Sequence, residues 1–263
     1  MASNIQKSSY SEKLVDLIEL IYGKGFLSQG GAASVDFMFK DVNVTNKKVL
    51  DVGSGLGGID FCLAQKYVVD IVGVEIDSLI IKKAEQLLEK KRPILKGNVT
   101  FVSEGLGDYL QQFNDETFDI VFSKETILHI PVKDKLRYFE QVYRILKKGG
   151  LIIIMDWMHT SSDYSKELQN MIESDGIPYN LVTPEEYINI LKAANFKDVS
   201  FIDTTEQTME LCEQDCKKII EFKDVIIQKF DHETYKEAIA SWTAQLNAFK
   251  NKELVAGIFK ANR

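Results

Sequence analysis

The chain has 263 residues, 45% of them hydrophobic, and a formal net charge of −7 at pH 7. That length and apolar fraction suffice for one domain built around one sizeable core. The surplus of acid excludes general nucleic-acid binding, because phosphate backbones are held by clustered Lys and Arg. A small-molecule partner is expected instead. Residues 1–10 lack the basic-then-apolar pattern of a signal peptide, and no apolar run reaches the roughly 18 residues that span a bilayer. The expectation is a cytoplasmic protein without membrane association, monomeric or homodimeric. Cys62, Cys212 and Cys216 form no closed disulfide set, and no His completes a metal spacing with Cys212 and Cys216, so no metal is expected.

Residues 1–40 read as an N-terminal helical lid. Short apolar runs then alternate with longer helix-period segments, which is the pattern of strands joined by crossover helices. Strands are expected at 48–52, 70–75, 99–103, 118–123 and 151–156, with helices at 58–67, 78–90 and 133–146. The last helix is expected to stop at Lys147-Lys148-Gly149-Gly150, cations followed by glycine. Residues 157–182 are polar and aromatic with weak periodicity, and read as a small cap over the carboxyl edge of the sheet. Thr183, Pro184 and Glu186 then make a near capping box, opening a helix to about 195. A strand at 198–203, a helical stretch over 206–250 and a strand at 254–260 bring the count to seven. The fold class is therefore α/β: one domain over 1–263, with a Rossmann-like, seven-stranded, mostly parallel sheet, flanking helices and a small helical cap.

The first strand, Val49-Leu50-Asp51-Val52, runs into Gly53-Ser54-Gly55-Leu56-Gly57-Gly58. Such a loop lets a ligand approach the backbone at the carboxyl edge, as nucleotide cofactors do. The glycines alone also satisfy the dinucleotide fingerprint, so they do not separate NAD from S-adenosylmethionine (SAM). Asp51 favours SAM, because a carboxylate two residues before the first glycine repels pyrophosphate but suits a ligand bearing ammonium and sulfonium charge. Glu75 closes the next strand, where a carboxylate accepts ribose hydroxyls, and Ile76 offers an apolar face to adenine.

Val49 to Gly58, Glu75, the run Phe118-Asp119-Ile120-Val121-Phe122-Ser123 and the run Leu146-Lys147-Lys148-Gly149-Gly150-Leu151 resemble the successive motifs of class I SAM-dependent methyltransferases. The resemblance implies that superfamily's seven-stranded sheet with a reversed last hairpin, and SAM as cofactor, released as S-adenosylhomocysteine. It places Asp51, Gly53, Ser54, Gly55, Glu75, Ile76 and Ser123 against SAM. After the third strand many members carry an Asp, where this chain reads Ser103-Glu104-Gly105-Leu106-Gly107-Asp108; Gly105 and Leu106 are assigned to the adenine side.

The segment after the fourth strand, Ser123-Lys124-Glu125-Thr126-Ile127-Leu128-His129-Ile130-Pro131, concentrates ionisable groups beside the cofactor. A His titrates near neutrality and can take a proton from an amine or hold it in line; Glu125 can pair with an amine or with Lys124 or Arg137. Tyr10, Leu27-Ser28-Gln29-Gly30-Gly31, Ile127-Leu128-His129 and Thr183-Pro184-Glu185-Glu186-Tyr187 are similar to the phosphoethanolamine N-methyltransferases of parasites and plants. That similarity implies catalytic roles for Tyr10, His129 and Glu125, a cofactor contact for Ser28, and substrate contacts for Lys124, Trp157 and Tyr179. Aromatic faces at the last two attract methylated ammonium groups. Ile177 stands where the family has an arginine for the substrate phosphate, and about Gln245 where it has a lysine. Losing two charge-assisted contacts weakens phosphate binding by several kcal/mol. The reading is a SAM-dependent methyltransferase of a small amine. The alternatives are an O- or C-methyltransferase of a metabolite and a SAM-binding partner protein without catalysis, and an NAD-dependent oxidoreductase is disfavoured by Asp51.

Overall fold

The computed structural model describes residues 10–103 and 110–263. Gly105 and Leu106 lie outside the described residues. Two short helices, α1 (Glu12–Tyr22) and α2 (Gly31–Met38), precede a seven-stranded sheet. The strands are β1 (Lys48–Val52), β2 (Asp70–Glu75), β3 (Asn98–Ser103), β4 (Phe118–Lys124), β5 (Leu146–His159), β6 (Lys197–Asp203) and β7 (Leu254–Asn262). Their order is β3-β2-β1-β4-β5-β7-β6. The first five pair in parallel, and β7 runs antiparallel to both β5 and β6, the reversed hairpin expected from the motifs. Order reverses between β1 and β4, and a ligand crevice opens outside the carboxyl ends of strands at such a switch point.

Helices cover both faces, so the inner strands are apolar nearly throughout. Alternate residues of β1 show how the core divides. Val49 packs with Ile71, Ile120 and Ile153 under α3 (Gly58–Lys66) and α4 (Ser78–Lys91). Leu50 packs with Val121, Ile152 and Phe259 against α5 (Val132–Ile145) and α7 (Pro184–Ala193) on the opposite face. Local caps fix the crossover helices in place. Asp77 accepts from the backbone N–H of Leu79 and Ile80 at the start of α4, and Thr183 and Glu186 form a complete capping box on α7.

Three elements differ from the sequence expectation. Strand β5 begins at Leu146, because Leu146 already pairs with Phe118; Lys147 to Gly150 make an irregularity within the strand, not a helix stop outside it. It also continues through His159, since Trp157, Met158 and His159 pair with Ala256, Val255 and Leu254. The cap therefore starts later than 157, and it holds a regular helix, α6 (Lys166–Asp175), whose first turn is capped by Ser165. The helical stretch before β7 is three helices: α8 (Thr205–Glu221), α9 (Lys223–Lys229) and α10 (His232–Lys250). Asp231 restarts the chain as the N-cap of α10 by accepting from Thr234 N–H.

This insertion, with α1, is the larger part of the roof. Lys13 pairs with Asp231 at 2.8 Å and Asp16 with Lys229 at 3.1 Å, while Lys218 donates to the Ile21 carbonyl at 2.9 Å. Apolar contact supplies the adhesion: Leu17, Ile18 and Ile21 of α1 are buried with Ile219, Ile226 and Trp242. Asn247 donates to Glu167, tying α10 to α6. No helix among the described residues is long and apolar enough to cross a membrane.

Candidate active site

The turn after β1 carries Gly53, Gly55 and Gly57 at φ of 77°, 53° and 81°. Gly53 admits no side chain, because a Cβ there would lie 2.7 Å from Thr126 Cβ and overlap the rest of that side chain. Gly58, at the start of α3, backs onto the Gly25 carbonyl and the Phe26 ring, so the segment between α1 and α2 packs directly on the loop. Glu75 organises it. One carboxylate oxygen accepts from Gly55 N–H at 3.1 Å, and the other accepts from Ile76 and Asp77 N–H at 2.7 and 3.0 Å. Burial raises the Glu75 carboxyl against the pull of these three bonds. Ile76 beside it is 56% exposed, an apolar side chain left without cover at the strand end. Ser54 Oγ is buried and has no hydrogen-bond partner among the described residues.

Asp51 is buried beneath this turn, and a second acid lies behind it. Asp60 of α3, itself fully buried, is the acid whose charge acts most strongly on Asp51, and neither of its carboxylate oxygens has a hydrogen-bond partner among the described residues. Burial, then the Asp60 charge, push the Asp51 carboxyl well above its usual range, and burial raises Asp60 too. Two coupled acids titrate together, so the negative charge near the loop belongs to the pair. Ser123 Oγ donates to the Val52 carbonyl at 2.9 Å, which ties β4 to β1 at the mouth of the crevice.

The end of β4 turns sharply. Glu125 adopts φ 50°, uncommon for a side chain with Cβ, and its N–H bonds to the Met155 carbonyl at 2.8 Å. Lys124, expected against substrate, is buried and holds the lid loop: its ammonium donates to Ser28 Oγ at 2.8 Å, to the Gln29 carbonyl at 2.9 Å and to Glu125 at 2.7 Å. All three N–H bonds are thereby used. Gln29 adds a second anchor, since its side-chain oxygen accepts from Gln245 of α10 and from the Cys212 thiol of α8. The loop that flanks the glycine turn is thus bonded both to β4 and to the roof.

The 3₁₀ turn Ile127–His129 follows, carrying His129. His129 Nδ1 lies 3.0 Å from the Pro178 carbonyl. A carbonyl only accepts, so the proton sits on Nδ1 and Nε2 keeps its lone pair. Burial pulls the imidazole below its ordinary value, keeping it neutral near pH 7. The cap laces onto the same turn, as Asn180 N–H bonds to the Leu128 carbonyl and Asn180 Nδ2 to the His129 carbonyl. The Tyr179 ring meets His129 edge-on at 5.3 Å and Trp157 at 6.2 Å, and its hydroxyl donates to Asp175 at 2.7 Å.

These side chains border one cavity of about 970 Å³. Tyr10, Ser28, Glu125, His129, Trp157 and Tyr179 line it, together with Ile177 and Gln245. Burial raises the Tyr10 and Tyr179 hydroxyls, which stay protonated.

Two further residues escaped the sequence reading. Lys135 of α5 is buried and donates to the Ile127 carbonyl, and Asp156 of β5 is fully buried nearby, bonded to Tyr187 Oη at 3.1 Å and to Trp157 N–H at 3.1 Å. Burial lowers the Lys135 ammonium and raises the Asp156 carboxyl, while their attraction opposes both shifts. The pair sits behind the turn bearing His129. A signal was present: Lys135 falls on the same stripe of α5 as Tyr138, Phe139, Val142 and Ile145. Lys135→Met, which removes the donor to the buried Ile127 carbonyl and the positive charge that acts on Asp156, is expected to cost about 1–3 kcal/mol. Urea denaturation should show a lower midpoint at unchanged slope, and an unmoved midpoint would deny the pair this buttressing role.

A glycine turn with bare backbone, an orphaned serine hydroxyl, an acid at the next strand end and an uncovered isoleucine fit an adenosyl ligand with an amino-acid tail. With this sheet order they define a class I SAM-dependent methyltransferase. The chain belongs to the methyltransferase-domain family, whose model matches residues 43–195. It is 28% identical over 261 residues to the phosphoethanolamine N-methyltransferase of Plasmodium falciparum, covering 98% of this chain and 95% of that one. Phosphoethanolamine N-methyltransferase 1 of Arabidopsis thaliana is 32% identical over 246 residues, 93% of this chain; the chain spans about half of that plant relative, 48% of its length. Among solved structures, phosphoethanolamine N-methyltransferase 2 of Haemonchus contortus, in complex with phosphomonomethylethanolamine and S-adenosylhomocysteine, superposes with a TM-score of 0.88 at 23% identity over 98% of this chain and 59% of that one. A cyclopropane synthase of Mycobacterium tuberculosis gives 0.79 at 14% identity, over 96% and 94% of the two chains. These two likenesses establish the fold.

Proposed function

We propose that this methyltransferase acts on the nitrogen of a small-molecule amine. The observation that carries the proposal is His129: a neutral imidazole with a proton on Nδ1 fixed by Pro178 and a free lone pair on Nε2, at the wall of an aromatic cavity. SAM supplies an electrophilic methyl on sulfonium, for an in-line displacement. The protein's own task is to present an unprotonated nucleophile in line. A free alkylamine has a pKa of about 10, like lysine, and arrives protonated. His129 Nε2 takes that proton, the Tyr10 hydroxyl and the Glu125 carboxylate orient the nitrogen, and the Trp157 and Tyr179 rings accommodate the growing positive charge. The names of the sequence relatives, which specify methyl transfer to an amine nitrogen, support this reading.

Asp51, Gly53, Ser54, Gly55, Glu75, Ile76, Ser123 and Ser28 are the proposed SAM contacts. Mass spectrometry of products formed from isotope-labelled SAM with an amine series, and with matched alcohols, tests the assignment. Label on nitrogen is expected, and label on oxygen or carbon overturns it. Glu75→Ala removes the acceptor of three backbone N–H groups together with the ribose acceptor. Calorimetry should find SAM binding weakened by about 1.5–3 kcal/mol, the cost of lost hydrogen bonds to a charged group.

A further inference from the structure

The charge around the cavity favours one kind of acceptor over others. Among the described residues its wall carries the half-buried acids Glu125 and Asp175 and the exposed acids Glu167 and Glu237, against one ammonium, Lys13. Lys13 is half exposed and paired with Asp231, and Lys124, which neutralises Glu125, is held by the lid loop. Asp175 accepts from the neutral Tyr179 hydroxyl. At the wall positions Ile177 and Gln245 the side chains are uncharged. A phosphate or carboxylate brought under this roof would lose its water and meet no available cation among the described lining residues, a costly burial. A second ammonium would meet the half-buried Asp175 carboxylate of α6, with Glu167 and Glu237 on the exposed rim.

We propose, resting on the amine reading above, that the acceptor carries no anionic group and presents a second cationic end to the wall formed by Glu167 and Asp175 of α6 and Glu237 of α10, as an α,ω-diamine does. One ammonium end lies among His129, Trp157 and Tyr179, and the other at Asp175. The acceptor is thereby selected by charge at its far end.

Calorimetry on the full chain loaded with S-adenosylhomocysteine tests this without methyl transfer. The titrants are 1,4-diaminobutane, ethanolamine and phosphoethanolamine. The expected order of affinity is diamine, then ethanolamine, then phosphoethanolamine, with about a tenfold gap at each step, the size of one 1.4 kcal/mol contact. Asp175→Asn, which keeps a hydrogen-bond acceptor for Tyr179, should erase the gap between diamine and ethanolamine. Ile177→Lys should move phosphoethanolamine up the order. Any other ranking in the parent protein, or a diamine preference unchanged in Asp175→Asn, overturns the proposal. If the ranking holds but labelled methyl never reaches nitrogen, the amine reading fails while the charge selection stands. If phosphoethanolamine binds best and is N-methylated, the reverse is true.

Discussion

Replacing His129 with alanine is expected to lower kcat by about 10²–10⁴-fold, the usual contribution of a positioned general base, while leaving SAM affinity unchanged. The separation follows from geometry. His129 belongs to the turn after β4 and meets the cap through Pro178 and Tyr179, whereas the glycine turn and Glu75 are held by other bonds. Alanine also removes the edge-on contact with Tyr179, so His129→Gln is the sharper variant. Its amide can still donate to the Pro178 carbonyl but offers no basic nitrogen, and it should lose as much as alanine. The pH profile carries the sign of the mechanism. A base acts only when deprotonated, and burial depresses the imidazole, so kcat/KM should hold through neutrality and fall on the acid side, with its midpoint below the ordinary value of about 6.5. That acid limb should vanish from the residual activity of both variants. Full activity in either one, or an acid limb that persists in them, removes His129 from the proton transfer.

Strand positions were readable from the chain because each is a short apolar run with helical neighbours, and an inner parallel strand needs nothing else to be recognised. The glycine turn was readable because positive φ leaves glycine nearly alone as an occupant. The roof was not. Residues 206–250 have helical periodicity, but a hydrophobic stripe states only that a helix packs, not on which surface. Nothing local says that α10 faces Tyr22 through Trp242, or that Gln245 reaches Gln29. The partners of Lys124 were hidden for a related reason. Its neighbours in the chain suggest a charge at the mouth of a cleft, while its actual partners, Ser28 and Gln29, come from nearly a hundred residues upstream. Asp60 comes to act on Asp51 only once α3 has packed behind β1, so the coupling of the two acids exists in three dimensions alone.

Gly53→Ala should impair cofactor binding and chemistry together, and the reason lies in a contact that joins the two halves of the site. At φ 77° any residue with Cβ is disfavoured, by roughly 1–2 kcal/mol in the left-handed region. The added methyl would also drive into Thr126, whose hydroxyl donates to the Lys124 carbonyl at 3.1 Å and whose backbone leads into the Ile127–His129 turn. The glycine turn cannot yield easily, because Gly53 and Ser54 N–H both bond to the Val74 carbonyl, at 2.9 and 3.0 Å. Thr126 must then give way and take His129 with it. SAM dissociation constants should rise by about tenfold or more, matching the backbone strain, and kcat should fall as the base is displaced. Thr126→Gly removes the atoms that collide but not the unfavourable φ. Combined with Gly53→Ala, it should restore kcat toward that of Thr126→Gly alone while leaving most of the SAM defect, a coupling of about 0.5–3 kcal/mol between neighbouring sites. Additive losses in the double variant would mean that the loop and the His129 turn act separately.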